Sequence, residues 1–131
     1  MLLANVFPLF HLGAALAMGC VAGGPRGWLG AAAVLYLLPP LAARLLTAAC
    51  GKPAGRYSPE DGAFLVWWVT LQLQTLFLRL PFLEELLRLV PGLYSVWLRL
   101  WGSRVGSRVY WSAGTTVLDR GYLDVGDGVV F

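Results

Sequence analysis

Two short stretches decide how this chain is read: Val105-Gly106-Ser107-Arg108-Val109 and Val125-Gly126-Asp127-Gly128-Val129. Both run aliphatic, glycine, two polar or turn residues, aliphatic. Between them Trp111, Val117 and Leu123 continue a six-residue spacing that begins at Val105. Six residues make one short strand plus a corner. Every sixth side chain then points into the axis of a triangular coil, and the residue after it must be small for the corner to close. The two copies lie 20 residues apart, against the 18 of three equal faces, so a corner near Asp119-Arg120-Gly121 holds two extra residues. The spacing predicts the start of a hexapeptide parallel β-helix over 102–131, one to two coils of it. Its repeat positions would be Val105, Gly106, Val109, Trp111, Val117, Leu123, Val125, Gly126 and Val129. V-G-x-x-V also occurs in ordinary hairpins, and that alternative stays open.

Immediately upstream, 82–101 has helical periodicity. Glu84, Arg88, Gly92, Ser95 and Arg99 recur at steps of four, four, three and four, one polar stripe on an otherwise apolar helix. A narrow stripe of this kind suits a helix lying in a membrane interface, with Arg88, Arg99, Trp97 and Trp101 as its interfacial residues. Pro91-Gly92 kinks or splits it. A kinked transmembrane helix is the other reading.

Further upstream the chain is greasier still. Segments about 2–22, 27–50 and 62–80 are almost free of charge and long enough to cross a hydrocarbon core of about 30 Å. Gly23-Gly24-Pro25-Arg26-Gly27 separates the first two, and Gly51–Asp61 is a polar loop before the third. Pro39-Pro40 kinks the second segment without ending it. Ser58-Pro59-Glu60-Asp61 has the residues of a helix start. Gln72 and Gln74 are expensive towards lipid and are expected to face another helix or a cavity. The first segment lacks the basic residues of a signal peptide, which predicts a helix that is retained.

Composition supports a membrane location. Of 131 residues, 58% are hydrophobic and 13% charged, and the mean hydropathy is +0.68, whereas ordinary soluble domains are about 25% charged. Residues 1–55 contain Arg26, Arg44 and Lys52 but no carboxylate. The fold class expected is mostly α and membrane-embedded: three transmembrane helices in 1–81, an amphipathic interfacial helix over 82–101, and an incomplete β-helix over 102–131. Lys/Arg counts near the segment ends predict a multi-pass protein with its C-terminal portion in the cytoplasm. A net charge of +3 without a basic run points to the lipid bilayer as partner and away from nucleic acid. Cys20 and Cys50 form no C-x-x-C and have no nearby histidine, so no metal or disulfide framework is expected.

Leu98-Arg99-Leu100-Trp101-Gly102-Ser103-Arg104-Val105-Gly106-Ser107-Arg108-Val109-Tyr110-Trp111, followed by the residues from Leu123 to Phe131, resembles the C-terminal regions of nonribosomal-peptide-synthetase-like proteins of the polylysine-synthetase type. Gly55-Arg56-Tyr57 and Trp67-Trp68 extend the likeness, which covers about 54–131. In that group transmembrane helices alternate with left-handed β-helix domains similar to hexapeptide acyltransferases. The resemblance implies acyl transfer or peptide-bond formation from an activated acyl donor, an acyl thioester for the full-length family, with a histidine as general base.

This chain departs from the pattern there. Its one histidine, His11, lies in the first apolar segment, so no catalytic residue is assigned and no cofactor is expected in this chain. Asp119, Asp124 and Asp127 read as turn residues, and Ser112, Thr115 and Thr116 lack a histidine partner. Two functions are carried forward. One is the membrane-anchoring part of a longer acyltransferase-like protein, whose further coils or subunits would pack on the tail. The other is a small helical membrane protein that acts as a scaffold or interaction partner.

Overall fold

A computed structural model describes residues 5–131. Helix α1 (Phe7–Ala22) and helix α2 (Gly24–Cys50) are joined at Gly23 and followed by the loop to α3 (Gly62–Arg79). Two short helices, α4 (Phe82–Arg88) and α5 (Leu93–Leu100), lead into strands β1 (Arg104–Val105) and β2 (Asp124–Val125). The chain divides into two compact units, residues 1–76 and 77–131.

In the first unit, small residues let α1 lie close to α2. Ala15 and Gly19 on α1 are buried, as are Gly27 and Ala31 on α2, each pair spaced by four and so on one helix face. A side chain on Gly27 would meet the Ala22 backbone and the Gly19 carbonyl at 3.1 Å. His11 is buried here and its Nε2 lies 3.0 Å from the Val34 carbonyl. That contact reaches the turn of α2 ahead of Pro39 and Pro40, both buried inside a helix that continues through them. Before α3, the Asp61 carboxylate accepts from the Ser58 backbone N–H at 2.6 Å. On α3, Gln72 donates to Asn5 at 3.0 Å and Gln74 to the Thr70 carbonyl at 3.3 Å, both side chains buried.

The outer surface of this unit is apolar. Phe10, Leu29 and Leu45 are 70–72% exposed. Among the described residues, however, only α2 is by itself long and apolar enough to cross a membrane. This corrects the expectation of three spans. Helix α1 is a 16-residue helix, short of the roughly 20 residues a span takes. Helix α3 qualifies only when joined to α4, and Pro81, which has no N–H to continue the ladder, sits at the break between them.

The second unit corrects the other part of the expected fold class. Strand is confined to β1 and β2, one two-stranded sheet, so the segment 102–131 is not a β-helix coil. The strands pair in parallel, Arg104 with Asp124 and Val105 with Val125, and Tyr110 bridges Val130 in the same sense. The physical reason is how the connection between the strands is held. Residues 112–121 are tied down by side chains and turns: the Gly114 N–H donates to Glu85 at 3.0 Å and Ser103 Oγ to the Arg120 carbonyl at 2.5 Å. With their polar groups satisfied this way, no further strand forms. Helices α4 and α5 pack within this same unit, and the 82–101 segment is two helices around the Pro91-Gly92 turn, where Gly92 takes φ +81°.

Candidate functional site

Of the polar stripe of 82–101, Glu84, Arg88 and Ser95 face inward, whereas Gly92 and Arg99 are exposed. Glu84, on the first turn of α4, is 4% exposed and collects most of the buried polar contacts of this unit. Its Oε1 accepts from Arg120 Nε at 2.7 Å and from the same guanidinium's terminal nitrogen. Its Oε2 accepts from the Tyr94 hydroxyl at 2.6 Å and from Arg88 at 3.3 Å. Arg120 is 1% exposed, with its guanidinium carbon 5.9 Å from the Phe77 ring centre and 5.8 Å from that of Trp97. Arg88 also pairs with Glu85, donates to the Thr115 carbonyl at 2.6 Å and covers the Tyr94 ring at 4.3 Å. Burial, then the adjacent Glu84 charge, pushes the Tyr94 hydroxyl pKa well above its ordinary value of 10.0, so Tyr94 stays a donor at neutral pH.

An aromatic layer surrounds this cluster. Trp111 donates from Nε1 to Ser95 Oγ at 2.9 Å, meets Tyr94 edge-on and stacks on Phe131. Trp97 and Trp101 are 2% and 3% exposed and lie edge to face. Their expected interfacial role is therefore corrected: both are core residues, because the polar stripe they flank turns into the protein. Arg88 is likewise internal. Arg99 donates to the carbonyls of Val105 and Gly106 at 2.8 and 2.7 Å, so it braces the start of the tail.

Of the repeat positions, Val105, Trp111 and Val117 are buried, and Val109, Leu123, Val125 and Val129 are half-buried. Gly106 donates to the Val125 carbonyl at 2.8 Å. A side chain there would meet the Gly126 carbonyl at 2.6 Å, whereas Gly126 faces open space. At the first corner, Asp127 accepts from the Ser107 N–H at 2.5 Å and the Ser107 hydroxyl at 2.9 Å, which holds its exposed carboxyl below the ordinary carboxylate value. Asp124 pairs with Arg104 at 3.5 Å in solvent, and the Asp119 backbone carbonyl accepts the Tyr122 N–H at 3.1 Å. Ser112 donates to the Phe131 carbonyl, Thr115 to Ser112 and Thr116 to Gly114.

Beside this core runs a cleft of about 640 Å³, walled by the Val90–Val96 turn and α5 on one side and by Gly106–Tyr110 on the other. A smaller lobe, about 170 Å³, shares Val90, Pro91, Gly92, Val109 and Tyr110 and reaches Arg88, Tyr94 and Trp111. The larger cleft has an apolar wall and two cations, Arg99 and Arg108, with no carboxylate in its lining.

Chemically, the Glu84 cluster is a lock. Both carboxylate oxygens are occupied by two arginines and a phenol, a demand on hydrogen-bonding capacity that leaves little for a substrate. Among the described residues no group of three His, Cys, Asp or Glu side chains could hold a metal ion. Sequence reasoning placed Glu84 and Arg88 on a stripe and Arg120 at a corner without connecting them. The small-residue pairs Ala15/Gly19 and Gly27/Ala31, by contrast, carry a legible signal of close helix packing in their spacing of four. No family model matches the chain, and no curated protein or solved structure matches it either.

Proposed function

We propose that this chain is a membrane-anchoring protein: α2 crosses the bilayer with α1 packed along it, and so tethers the C-terminal unit to the membrane. The observation that supports this reading is α2, 27 residues long and apolar enough over an 18-residue window to cross a membrane, with an outer face of exposed leucines such as Leu29 and Leu45. Water would tolerate such a face poorly, and lipid covers it without cost. Lys52 and Arg56 follow α2 closely, against Arg26 at its start, which favours the C-terminal unit on the cytoplasmic side.

The C-terminal unit supports a scaffolding role because its one deeply buried carboxylate is committed to internal partners. Acyl transfer, which the resemblance implies, separates from scaffolding by a direct measurement: purified chain with an acyl thioester and an amine acceptor. Scaffolding expects no turnover.

Fractionation tests the anchor. Alkaline carbonate should leave the chain in the membrane pellet, and Leu37→Arg combined with Leu41→Arg should release it. In a Cys20→Ser/Cys50→Ser background, a membrane-impermeant maleimide applied to intact cells should label Arg26→Cys and spare Arg56→Cys. Release of the unaltered chain by carbonate would overturn the proposal.

A further inference from the structure

We infer that the cleft between α5 and the Gly106–Tyr110 segment binds one anionic phospholipid, its phosphate at Arg99 and Arg108 and one acyl chain along Val90, Leu93, Val96 and Tyr110. Three observations carry this.

The first is the lining. A cleft of about 640 Å³ lies within the size range of small-molecule sites, roughly 300–1,000 Å³. Its wall is largely aliphatic with one aromatic, and the charged residues of its lining are the two arginines, while the neighbouring Asp127 carboxylate is taken up by Ser107. That combination is complementary to a molecule with an apolar tail and a compact anionic head. Arginine suits a phosphate head because its planar fork donates two parallel hydrogen bonds.

The second is the backbone at Arg108. Its φ is +53°, and among the described residues it is the one non-glycine in that left-handed region. Twenty residues on, the matching corner of the second V-G-x-x-V stretch has Gly128 at φ +67°. The corner geometry therefore favours glycine, and the first copy carries an arginine instead. Strain retained at a cleft rim is a pointer to what the side chain does there. Arg108 is exposed, as is Arg99, but the Arg99 guanidinium is oriented by the Val105 and Gly106 carbonyls. One cation is preset and the other reaches.

The third is continuity with lipid-compatible surface. Phe82 and Leu86 on α4 and Leu89 at its C-cap follow at steps of four and three, and they are 57%, 51% and 76% exposed. They share one helix face that runs into Val90 at the mouth of the cleft. A lipid tail entering the cleft has an apolar approach along this face.

The inference rests on the membrane-anchor reading only for how the lipid arrives. Binding itself is read in detergent, so the two fail separately: carbonate release with an occupied cleft, or stable insertion with an empty one. The full chain, purified in a neutral detergent, is titrated with phosphatidylglycerol, with phosphatidylcholine of the same chains, and with inorganic phosphate, and one-to-one adducts are counted by native mass spectrometry. Phosphatidylglycerol should half-saturate at a concentration about tenfold or more below phosphatidylcholine, whose phosphate is the same but whose choline cation meets the two arginines as a like charge.

Arg108→Gly, which suits the backbone, and Arg108→Gln should each abolish that preference. Val96→Trp, which fills the apolar wall, should weaken both lipids, and Arg104→Gln should change nothing. Equal binding of the two lipids, an unchanged preference in both Arg108 variants, or displacement of phosphatidylglycerol by millimolar phosphate alone would each overturn the assignment.

Discussion

Replacing Arg120 by methionine is the most informative single perturbation of the C-terminal unit. The side chains are similar in length, so packing against Phe77 and Trp97 is largely kept while the charge is lost. Glu84 loses both bonds on Oε1 and keeps Tyr94 and Arg88 on Oε2. Breaking a buried pair by removing one partner costs about 3–5 kcal/mol. Because Arg88 remains as a second cation, Arg120→Met belongs at about 3 kcal/mol. Glu84→Gln is the harsher change. It leaves the 1%-exposed Arg120 guanidinium without its carboxylate, whereas Arg88 retains Glu85, so its cost belongs at the upper end, about 5 kcal/mol.

The double variant Glu84→Gln/Arg120→Met should cost less than the sum, with a coupling of about 1–3 kcal/mol. The assay is thermal unfolding in detergent followed by tryptophan fluorescence, since Trp97 lies against Arg120. At about 4–8 °C per kcal/mol for a small unit, Arg120→Met should lower Tm by about 12 °C or more. A shift under about 4 °C, or strict additivity of the two changes, would refute the view that this cluster locks the unit.

Other expectations follow from the same geometry. Gly106→Ala drives its methyl into the Gly126 carbonyl and Asp127 and should destabilise by about 1–3 kcal/mol, while Gly126→Ala, with open space around it, should stay within about 0.5 kcal/mol; comparing their melting temperatures tests both. Tyr94 has a raised folded-state pKa, so its contribution is intact below the unfolded value of 10.0 and is lost as pH climbs above it. Stability should therefore fall in the alkaline limb above about pH 10, and Tyr94→Phe should remove that part of the fall. At the exposed Asp127, whose carboxyl is depressed, stabilisation is present above the ordinary carboxylate range and disappears as pH drops through its lowered value; Asp127→Asn should flatten that acid limb in a pH-dependent melt. In the first unit, Gly27→Leu collides with the Ala22 backbone and should separate α1 from α2, read as a loss of crosslinking between cysteines placed on the two helices.

Much of the local structure is legible in the residues themselves. Proline, glycine and charge at 23–27 and 51–61 mark the ends of α2, and Pro91-Gly92 marks the turn between α4 and α5. The 20-residue offset of the two V-G-x-x-V stretches is also the offset at which β1 and β2 pair. These are local effects of backbone conformation and short-range repetition, and sequence carries them directly.

The rest depended on which surface met which medium. Periodicity put Glu84, Arg88 and Ser95 on one face but could not say whether that face met water, lipid or protein. It met protein, because Arg120, 36 residues away, supplies the opposite charge, and that reversal carried Trp97 and Trp101 inside and left Phe82, Leu86 and Leu89 outside. The strand content was likewise beyond spacing alone. A six-residue period states where side chains could point, but residues 112–121 are held in turns by bonds to Glu85, Arg88 and Ser103, and so never become strand. Charge pairing across long chain separations has no local signature, and it was this pairing that the tertiary structure decided.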